Sequence, residues 1–249
     1  MIRIVGTIEA RMGSSRLPGK TMVPIYKNMI LLECVVQRFR ACLTLDDVVV
    51  ATSIEKGDDT IADWCKTNSI KVFRGSEDNV LERVAGAARH FEADAIVQMG
   101  ADSAYLDYEL IDQLVGCYQA GSYDYLCNDL RLTYPLGIYG HVVRVEKLLE
   151  LTQKQDLSDK DRSDVVRYFW EHPQDYSISN IEAPPELHDP ELRLTIDYPE
   201  DMEQARSVYA HFGGHLFTTS QVIALKRWKP ELFEKTHDLV QHSAPFLKL

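Results

Sequence analysis

Short apolar runs alternate with helical patterns along the first half of the chain. Four runs predict buried strands, at residues 2–8, 47–52, 71–73 and 95–99. Between them, apolar side chains recur at helical spacing in three segments, residues 28–40, 58–67 and 79–91. Continuous apolar strands separated by helices of about 10–15 residues are typical of a parallel sheet covered on both faces. We therefore predict a Rossmann-like, doubly wound α/β fold with a mostly parallel sheet, which binds ligands at the carboxyl ends of its strands.

The pattern loosens in the second half. Helices are predicted at residues 109–119, 148–154, 163–171, 200–212 and 220–227. Strands or extended segments are predicted at residues 125–140, 140–145, 177–181 and 192–196, with a turn at 135–137. The sequence contains no internal repeat and no low-complexity tract. It predicts a single domain, residues 1–249, with an inserted hairpin subdomain at about residues 122–185.

Composition then narrows the class of protein. The 249 residues carry 27 Lys and Arg against 38 Asp and Glu, a formal net charge of -11. An acidic surface repels phosphates, so we expect neither nucleic acid nor an anionic membrane as a partner. No apolar run reaches the roughly 20 residues that span a bilayer, and the first residues lack an apolar stretch of signal-peptide length.

The cysteines indicate a cellular compartment. There are five, an odd number, none in a Cys-x-x-Cys pair, and most lie in apolar segments. This pattern predicts buried, reduced thiols in a cytoplasmic protein.

A glycine-containing loop follows the first predicted strand and ends in Gly19-Lys20-Thr21. It is not a P-loop, because that motif requires glycine at position 14, where this chain has Ser14. The lysine of a P-loop also opens a helix, whereas Pro24 disfavours helix here.

The chemistry of this loop still favours a polyphosphate ligand. Arg11, Arg16 and Lys20 bring three cations within ten residues of an otherwise acidic chain. Its two glycines allow the backbone to approach a ligand closely, and its serine hydroxyls add donors. The alternative is a solvated surface loop whose cations form ordinary ion pairs.

The sequence of residues 10–20, ARMGSSRLPGK, closely resembles the signature loop of the sugar-acid cytidylyltransferases. The resemblance continues through VVVATS at 48–53, FRGSEDNVLER at 73–83 and LRLTIDYPEDME at 192–203. Four separated motifs in the same order cover roughly the first 210 residues. The chain is most similar to the SpsF-type spore-coat polysaccharide group, with the 3-deoxy-manno-octulosonate cytidylyltransferases as relatives. The fold is then expected to be of the nucleotide-diphospho-sugar transferase type.

The resemblance implies transfer of CMP from CTP to an acceptor, with release of pyrophosphate. It assigns Arg11 and Lys20 to the triphosphate, as the catalytic cations. The phosphate cradle would be the stretch Ala10, Met12, Gly13 and Ser14.

Two aspartates would hold Mg²⁺ in such an enzyme. Asp102 follows the strand at 95–99, and Asp197 follows the apolar run at 192–196. Magnesium prefers one or two carboxylates, with water and phosphate oxygens as its other ligands. For Asp197 there is an alternative, because an aspartate just before a Pro-Glu-Asp sequence can serve as a helix N-cap.

Cytosine selection would fall to two strand ends. By resemblance, the residues that read the nucleotide there are Thr52, Ser53, Ser76, Asn79 and Arg83. Asn79 has an alternative role as a helix cap.

The chain departs from its family in two places. Around Asp102, Ala101 and Ala104 stand where relatives carry glycine and proline. In the central segment, Tyr139 and His141 replace two expected carboxylates. Both residues are candidates for acceptor binding, in a less acidic pocket that suits an anionic acceptor such as a sugar acid, phosphate or phosphonate. The alternative is that this segment only packs a hairpin.

Two other functions stay open at this point. A nucleotide-sugar-dependent glycosyltransferase of related fold usually has a DxD motif, and none lies near a predicted strand end. A catalytically inactive nucleotide-binding homologue would explain the altered residues. Relatives commonly form homodimers through the middle hairpin, so residues 122–185 are the expected acceptor and dimerisation region.

Overall fold

The computed structural model describes residues 2–14, 16–237 and 239. The strands in this part of the chain are β1 (Ile4–Glu9), β2 (Pro24–Tyr26), β3 (Met29–Ile30), β4 (Asp47–Ser53), β5 (Lys71–Gly75), β6 (Ala95–Gly100), β7 (Tyr125–Cys127), β8 (His141–Arg144) and β9 (Ile178–Asn180). The α-helices are α1 (Leu31–Arg40), α2 (Asp59–Thr67), α3 (Val80–His90), α4 (Tyr108–Ala120), α5 (Val145–Thr152), α6 (Asp159–Arg162), α7 (Arg167–Glu171), α8 (Pro199–Phe212), α9 (Thr219–Trp228) and α10 (Glu234–His237).

Seven of the described strands form one sheet in the order β5-β4-β1-β6-β8-β7-β9. Strand β1 lies at its centre and is parallel to both β4 and β6. Strand β8 runs antiparallel to its neighbours β6 and β7, while β9 is parallel to β7. The order reverses beside β1, which creates the crevice where a doubly wound sheet binds its ligands.

Alternate residues of β1 explain why both faces of the sheet are covered. Ile4 and Ile8 point into one apolar cluster, which includes Phe39 of α1. Val5 points into the other cluster, which includes Val84 of α3. Because side chains alternate along a strand, one fully buried strand needs apolar layers on both sides. The predicted doubly wound, mostly parallel α/β fold is confirmed.

The middle segment, residues 122–185, contributes strands to the main sheet and does not form a separate hairpin. Strands β7, β8 and β9 all belong to the main sheet. Antiparallel pairing of β6 with β8 sets Gln98 opposite His141. The start of β8 therefore lies at the same edge as the carboxyl end of β6, and it brings side chains of the middle segment to the ligand-binding crevice.

Three secondary-structure predictions were wrong. Residues 192–196 form no strand, and only an isolated bridge links Leu136 with Arg193. The helix predicted over 163–171 begins only at Arg167, and before it Asp164 accepts the backbone N–H groups of Val166 and Arg167. The helix predicted from residue 28 begins only at Leu31, since β2 and β3 form a short antiparallel pair before it.

Four of the five cysteines are buried as free thiols, as predicted, but Cys117 on α4 is exposed. Burial raises the pKa of Cys34 and of Cys65 to about 12. These thiols therefore stay protonated and act as small apolar side chains. Over the described residues, no helix is long and apolar enough to cross a bilayer.

Candidate active site

Two adjoining cavities open at the carboxyl edge of the central strands. The first, of about 250 Å³, is lined mainly by the glycine-containing loop. The second, of about 310 Å³, is lined by β6, β8 and the middle segment. The residues that line both are Glu9, Arg16, Gly100, Asp102, Ser163 and Asp197. We call the first the loop cavity and the second the middle-segment cavity.

The glycine-containing loop folds back on itself. The backbone N–H groups of Ser14 and Gly19 both donate to the carbonyl oxygen of Met12, at 2.9 and 3.0 Å. Gly19 has a φ of 73°, in the left-handed region that favours glycine, and it begins a single 3₁₀ turn over Lys20–Met22. The turn buries Lys20, which is 8% exposed, and directs its ammonium group into the crevice.

Asp58 anchors this loop to the end of β4. Its carboxylate accepts the backbone N–H of Met12 at 2.7 Å and also binds the hydroxyl of Ser53. The N–H of Met12 and the hydroxyl of Ser53, both predicted to meet the nucleotide, are therefore used inside the protein. Asp58 was noticed in the sequence only as the first residue of a predicted helix, and nothing local marks it as the partner of a loop 46 residues away.

Lys20 joins the two aspartates that the sequence singled out. Its Nζ lies 2.8 Å from Oδ2 of Asp102 and 3.6 Å from Oδ1 of Asp197. It also donates to the carbonyl oxygen of Ile196. Three residues predicted from separate motifs thus meet at one point.

Asp197 carries more ion pairs than the sequence suggested. Arg16 binds its Oδ1 at 2.6 Å, and Arg193 approaches its Oδ2 at 3.3 Å. Tyr198, not Asp197, is the N-cap residue of α8. The N-cap alternative for Asp197 is therefore wrong, and its carboxylate is directed to the cations at the site.

A buried arginine and aspartate hold the Asp197 turn in place. Arg193 donates from Nε to Oδ1 of Asp201 at 2.8 Å and from Nη2 to Oδ2 at 2.9 Å. Oδ2 of Asp201 also accepts the backbone N–H groups of Asp197 and Tyr198, at 2.8 and 2.9 Å. Asp201 is fully buried. Both residues lie inside the recognised motif at 192–203, but their roles were not predicted.

The turn that carries Asp102 closes without the glycine and proline of relatives. Backbone N–H groups of Ser103 and Ala104 donate to the carbonyls of Gly100 and Asp102, at 3.2 and 3.0 Å. A side chain at Gly100 would place Cβ 2.6 Å from Oδ1 of Asp102. Gly100 thus leaves space for the Asp102 carboxylate, while Ala101 packs in the core with 5% exposure.

Three further predicted residues line the loop cavity. Arg11 is exposed there, and its carbonyl oxygen accepts the hydroxyl of Thr21 at 3.2 Å. Ala10 and Ser14 also lie on its wall. Gly13 is exposed beside Glu77 but is not part of the lining.

The predicted base-reading residues divide into two groups. Arg83 lines the loop cavity and donates through Nη1 to the carbonyls of Ser76 and Glu77. Arg83 as a whole is 2% exposed, and burial lowers its pKa. Asn79 caps α3 by accepting the N–H of Glu82 at 3.1 Å, as its alternative role predicted.

Three of these predicted residues, Thr52, Ser53 and Ser76, do not line the loop cavity. Ser76 Oγ instead accepts the N–H of Asn79 at 3.0 Å. Thr52 is fully buried, and its hydroxyl has no hydrogen-bond partner among the described residues.

The middle-segment cavity contains both predicted acceptor residues. The Tyr139 hydroxyl lies 2.9 Å from Oγ of Ser103, and its ring stacks on His141 with centroids 5.1 Å apart. His141 is paired with Asp129, whose Oδ2 lies 3.0 Å from Nε2. The sequence predicted a pocket with fewer carboxylates than in relatives. Asp129 and Asp164 also line it, however, so the pocket is more acidic than predicted.

Glu9 ends β1 at the boundary between the cavities. Its Oε1 accepts the side-chain amide of Gln98 at 3.1 Å. Burial, reinforced by the negative charge of Asp164, raises the pKa of Glu9 from 4.5 to about 7, although Arg83 opposes the shift. Glu9 was not among the predicted site residues, yet its place at the last position of the first strand was visible in the sequence.

At this site, cations on the loop after the first strand face the carboxylates of Asp102 and Asp197. Such an arrangement is typical of an enzyme that acts on a nucleoside triphosphate. The chain belongs to the cytidylyltransferase family, since the sequence profile described as "Cytidylyltransferase" matches residues 5–247. It is thus a nucleotidyltransferase, which transfers CMP from CTP to an acceptor.

Similarity to individual proteins supports membership of this family. Over 235 residues the chain is 34% identical to the spore coat polysaccharide biosynthesis protein SpsF of Bacillus subtilis (strain 168), covering 92% of this chain and 95% of that protein. A solved cytidylyltransferase from Leptospira borgpetersenii serovar Hardjo-bovis (strain JB197) superposes with a TM-score of 0.87 at 26% identity, over 98% of this chain and 100% of that one.

A more distant solved structure shares the fold. It is a CMP:2-keto-3-deoxy-manno-octonic acid synthetase complexed with CTP, with a TM-score of 0.62, 16% identity and coverage of 84% and 99%. The family expected from the sequence is confirmed.

Proposed function

We propose that this cytidylyltransferase transfers CMP from CTP to an anionic small-molecule acceptor in glycan or secondary-metabolite biosynthesis. The pair of adjoining cavities carries the proposal. One is polar and holds the loop cations, the other is partly aromatic, and Asp102 and Asp197 lie where they meet. A triphosphate in the first and an acceptor in the second would bring an acceptor oxygen to the α-phosphorus at this boundary.

The chemistry is a displacement at the α-phosphorus. The acceptor oxygen forms a bond to phosphorus, the bond to the β-phosphate oxygen breaks, and pyrophosphate leaves with the extra negative charge. Lys20 and Arg11 stabilise that charge in this proposal. Lys20 is suited to the task because its ammonium is buried and held by Asp102 and Asp197, so little reorganisation accompanies the reaction.

The remaining nucleotide contacts are assigned by position. We assign the triphosphate to the loop, where Ala10 and Ser14 line the cavity beside the cations, Gly13 lies next to them in the chain, and the carbonyl of Met12 closes the turn. We assign the cytosine to the side of Arg83 and its carbonyl partners. Four further residues, Thr52, Ser53, Ser76 and Asn79, support that side through buried or capping positions.

A divalent metal fits this site, and we propose Mg²⁺. Asp102 and Asp197 both contact one cation, Lys20, so their carboxylates already converge. Among the residues described, no three His, Cys, Asp or Glu side chains come together as a metal site. Two protein carboxylates completed by phosphate oxygens and water match the preference of Mg²⁺. Such an ion would neutralise charge on the phosphates.

The proposed acceptor is an anion such as a sugar acid, phosphate or phosphonate. Arg16 lines both cavities and offers a cation at their boundary. Tyr139 and His141 form the inner wall of the acceptor side. The structural neighbour complexed with CTP is named a CMP:2-keto-3-deoxy-manno-octonic acid synthetase, and an acidic acceptor in that protein supports the proposal of one here.

Calorimetric binding of CTP, UTP, ATP and GTP, each with and without Mg²⁺, tests the nucleotide half of the proposal. We expect selective CTP binding that Mg²⁺ strengthens. Pyrophosphate release with sugar acids, phosphates and phosphonates then tests the acceptor half. Binding of none of the four nucleotides would contradict the first half, and CTP binding without turnover of any acceptor would contradict the second.

We also propose that residues 122–185 form the acceptor side of the domain and the contact of a cytoplasmic homodimer. Tyr125, Asp129 and Trp170 from this segment line the middle-segment cavity. Its last strand, β9, is an edge strand of the sheet, and the free, buried thiols fit a reducing compartment. Light scattering on the purified protein tests the dimer, and a monomeric mass at working concentration would contradict it.

A further inference from the structure

His141 has no ring nitrogen left for a ligand. Nδ1 lies 3.0 Å from Oε1 of Gln98. Nε2 lies 3.1 and 3.0 Å from the two carboxylate oxygens of Asp129. Both nitrogens are therefore occupied by protein atoms.

The partners of His141 determine its protonation. The amide of Gln98 donates through Nε2 to Glu9, so its Oε1 can only accept, and Nδ1 of His141 must carry a proton. Nε2 faces an acceptor-only carboxylate and must also carry a proton. His141 is then an imidazolium. Burial by itself lowers the pKa of His141, but the charge and hydrogen bond of Asp129, together with the charges of Asp164 and Glu9, raise it above 6.5.

The carboxylate, rather than the ring, is the part of this pair that faces the cavity. The His141 side chain is 11% exposed and that of Asp129 is 30% exposed. Tyr139 stacks on the His141 ring, and Tyr125 packs against it with centroids 5.8 Å apart. An acceptor entering the middle-segment cavity thus meets the oxygens of Asp129.

The backbone beside Asp129 is held rigidly. Asn128 is 1% exposed, its amide donates to the carbonyl oxygen of Ile138 at 3.0 Å, and its Oδ1 accepts the N–H of Gly140 at 2.8 Å. These bonds tie the residue before Asp129 to the two residues that flank Tyr139. Asp129 is therefore positioned from both sides, through Asn128 and through His141.

We propose that Asp129 determines acceptor specificity by accepting hydrogen bonds from hydroxyl or ammonium groups of the acceptor, and that His141 is a positioning residue which acts through it. This inference rests on the proposed function, because it concerns the acceptor of that reaction. Asp129 and His141 line the middle-segment cavity and not the loop cavity, so their effect falls on the acceptor and not on CTP.

The charges around His141 set the pH dependence. Negative charge reaches it from Asp129 beside β7, from Asp164 between α6 and α7, and from Glu9 of β1. Tyr139 and Tyr125, which pack against the ring, have pKa values raised by burial and stay neutral. Loss of an imidazolium proton at high pH would remove the positive charge that pairs with Asp129. Acceptor kcat/KM should therefore fall as the pH rises through the pKa of His141.

Asp129→Asn, which keeps the shape but not the charge, tests the assignment. The probes are 3-deoxy-manno-octulosonate and a matched series of ethylphosphonate, 2-hydroxyethylphosphonate and 2-aminoethylphosphonate, each with CTP and Mg²⁺. For every donor-bearing acceptor that the unmodified enzyme turns over, we expect Asp129→Asn to raise the acceptor KM at least about tenfold, with CTP affinity unchanged. Comparison of 2-hydroxyethylphosphonate with 2-aminoethylphosphonate shows whether Asp129 prefers a hydroxyl or an ammonium donor.

A matched control is Asp189→Asn. Asp189 also forms an ion pair, at 2.8 Å from Lys226, with 21% side-chain exposure, and it lies outside both cavities. The Asp189→Asn variant should leave the acceptor KM unchanged. An equal rise in KM in Asp189→Asn, or a change in CTP affinity in Asp129→Asn, would overturn the assignment.

The coupling to His141 has its own readouts. His141→Gln should raise the acceptor KM as Asp129→Asn does, and the double variant should be no worse than either single one. Imidazole ¹⁵N shifts of the full chain, followed over a pH titration, should show a pKa of His141 above 6.5 that is lower in Asp129→Asn. Additive losses, or an unchanged pKa, would overturn the positioning role.

The two proposals fail differently. CTP binding without turnover of any probe contradicts the proposed function, and this inference with it. Two outcomes overturn this inference alone. In the first, the enzyme turns over ethylphosphonate as fast as the phosphonates that carry a hydroxyl or an amine. In the second, a preference for the hydroxyl- or amine-bearing acceptor persists in Asp129→Asn.

Discussion

The two cavities are built in different ways. In the loop cavity, most of the cationic and hydroxyl groups come from one stretch, residues 10–21, and their carboxylate partners, Asp102 and Asp197, come from two separate segments. The middle-segment cavity draws Gln98, Asp129, His141, Asp164 and Trp170 from separate elements. Phosphate binding needs several cations and backbone groups at short range, which one loop can supply, whereas the shape of an acceptor is matched by side chains that only the fold brings together.

The difference extends to how charge is balanced. In the loop cavity the carboxylates of Asp102 and Asp197 share a buried cation, Lys20. In the middle-segment cavity a single histidine faces several carboxylates. Variants of the first region should therefore lose catalysis or stability, and variants of the second should change acceptor use.

The largest effect is expected from Asp201→Asn, which breaks the support of the loop-cavity carboxylate Asp197. Asp201 is fully buried and binds Arg193 through both of its oxygens, so the variant removes the closer of two anions from the guanidinium, Asp197 lying at 3.3 Å. Removing one partner of such a pair costs about 3–5 kcal/mol in the free energy of unfolding. Urea denaturation measures it. The more exposed Asp189→Asn serves as the control, with a loss below about 1 kcal/mol. Similar losses in both variants would show that Asp201 has no special role.

Lys20→Ala and Asp102→Asn should each lower kcat at least ~100-fold, because each removes charge stabilisation at the transition state. Steady-state pyrophosphate release with a confirmed acceptor measures the loss. The matched controls are Lys66→Ala and Asp63→Asn, which alter an exposed ion pair on α2 at 3.4 Å. Near-normal turnover in either site variant would refute the assigned roles.

Glu9, at the boundary of the cavities, should make stability depend on pH. Its pKa is raised from 4.5 to about 7, so between these values the folded state holds a proton that the unfolded state has released. Stability contributed by Glu9 is thus complete below pH 4.5 and is lost as the pH rises to about 7. At ~1.4 kcal/mol per pKa unit, the loss is at most roughly 3.5 kcal/mol.

Glu9→Gln should flatten this part of the pH profile, as measured by urea denaturation across pH 4 to 8. Glu55→Gln, at an exposed position near the end of β4, should keep the wild-type slope. A parallel pH profile in Glu9→Gln and the unmodified protein would contradict the raised pKa.

The smallest effect is expected in the middle-segment cavity. Tyr139→Phe removes the 2.9 Å hydrogen bond to Ser103 but keeps the ring that stacks on His141. The loss of one hydrogen bond of about 1 kcal/mol should raise the acceptor KM roughly fivefold. CTP binding by calorimetry should stay unchanged. A weaker affinity for CTP would mean that the two cavities are not functionally separate.

Much of the loop cavity could be predicted because its signals are local. The strand, the glycines and the three cations lie close together in sequence, and Asp102 comes two residues after the end of a buried strand. The roles of Asp58, Arg193 and Asp201 were not predictable in the same way. Asp58 is 46 residues from the N–H that it accepts, and a pattern of apolar residues carries no information about such pairs.

By itself, the sequence determined the alternation of strands and helices, the doubly wound class and the family, because apolar periodicity and contiguous motifs are written along the chain. Only the tertiary structure decided that β8 enters the sheet antiparallel and sets His141 opposite Gln98, or that Asp129 meets His141. It also decided that residues 192–196 make a single bridge to Leu136 instead of a strand, and that Asp201 holds the backbone that follows them. Those outcomes depend on which distant elements pack together, and hydrogen bonds and ion pairs between distant residues form only after the sheet has brought them within reach.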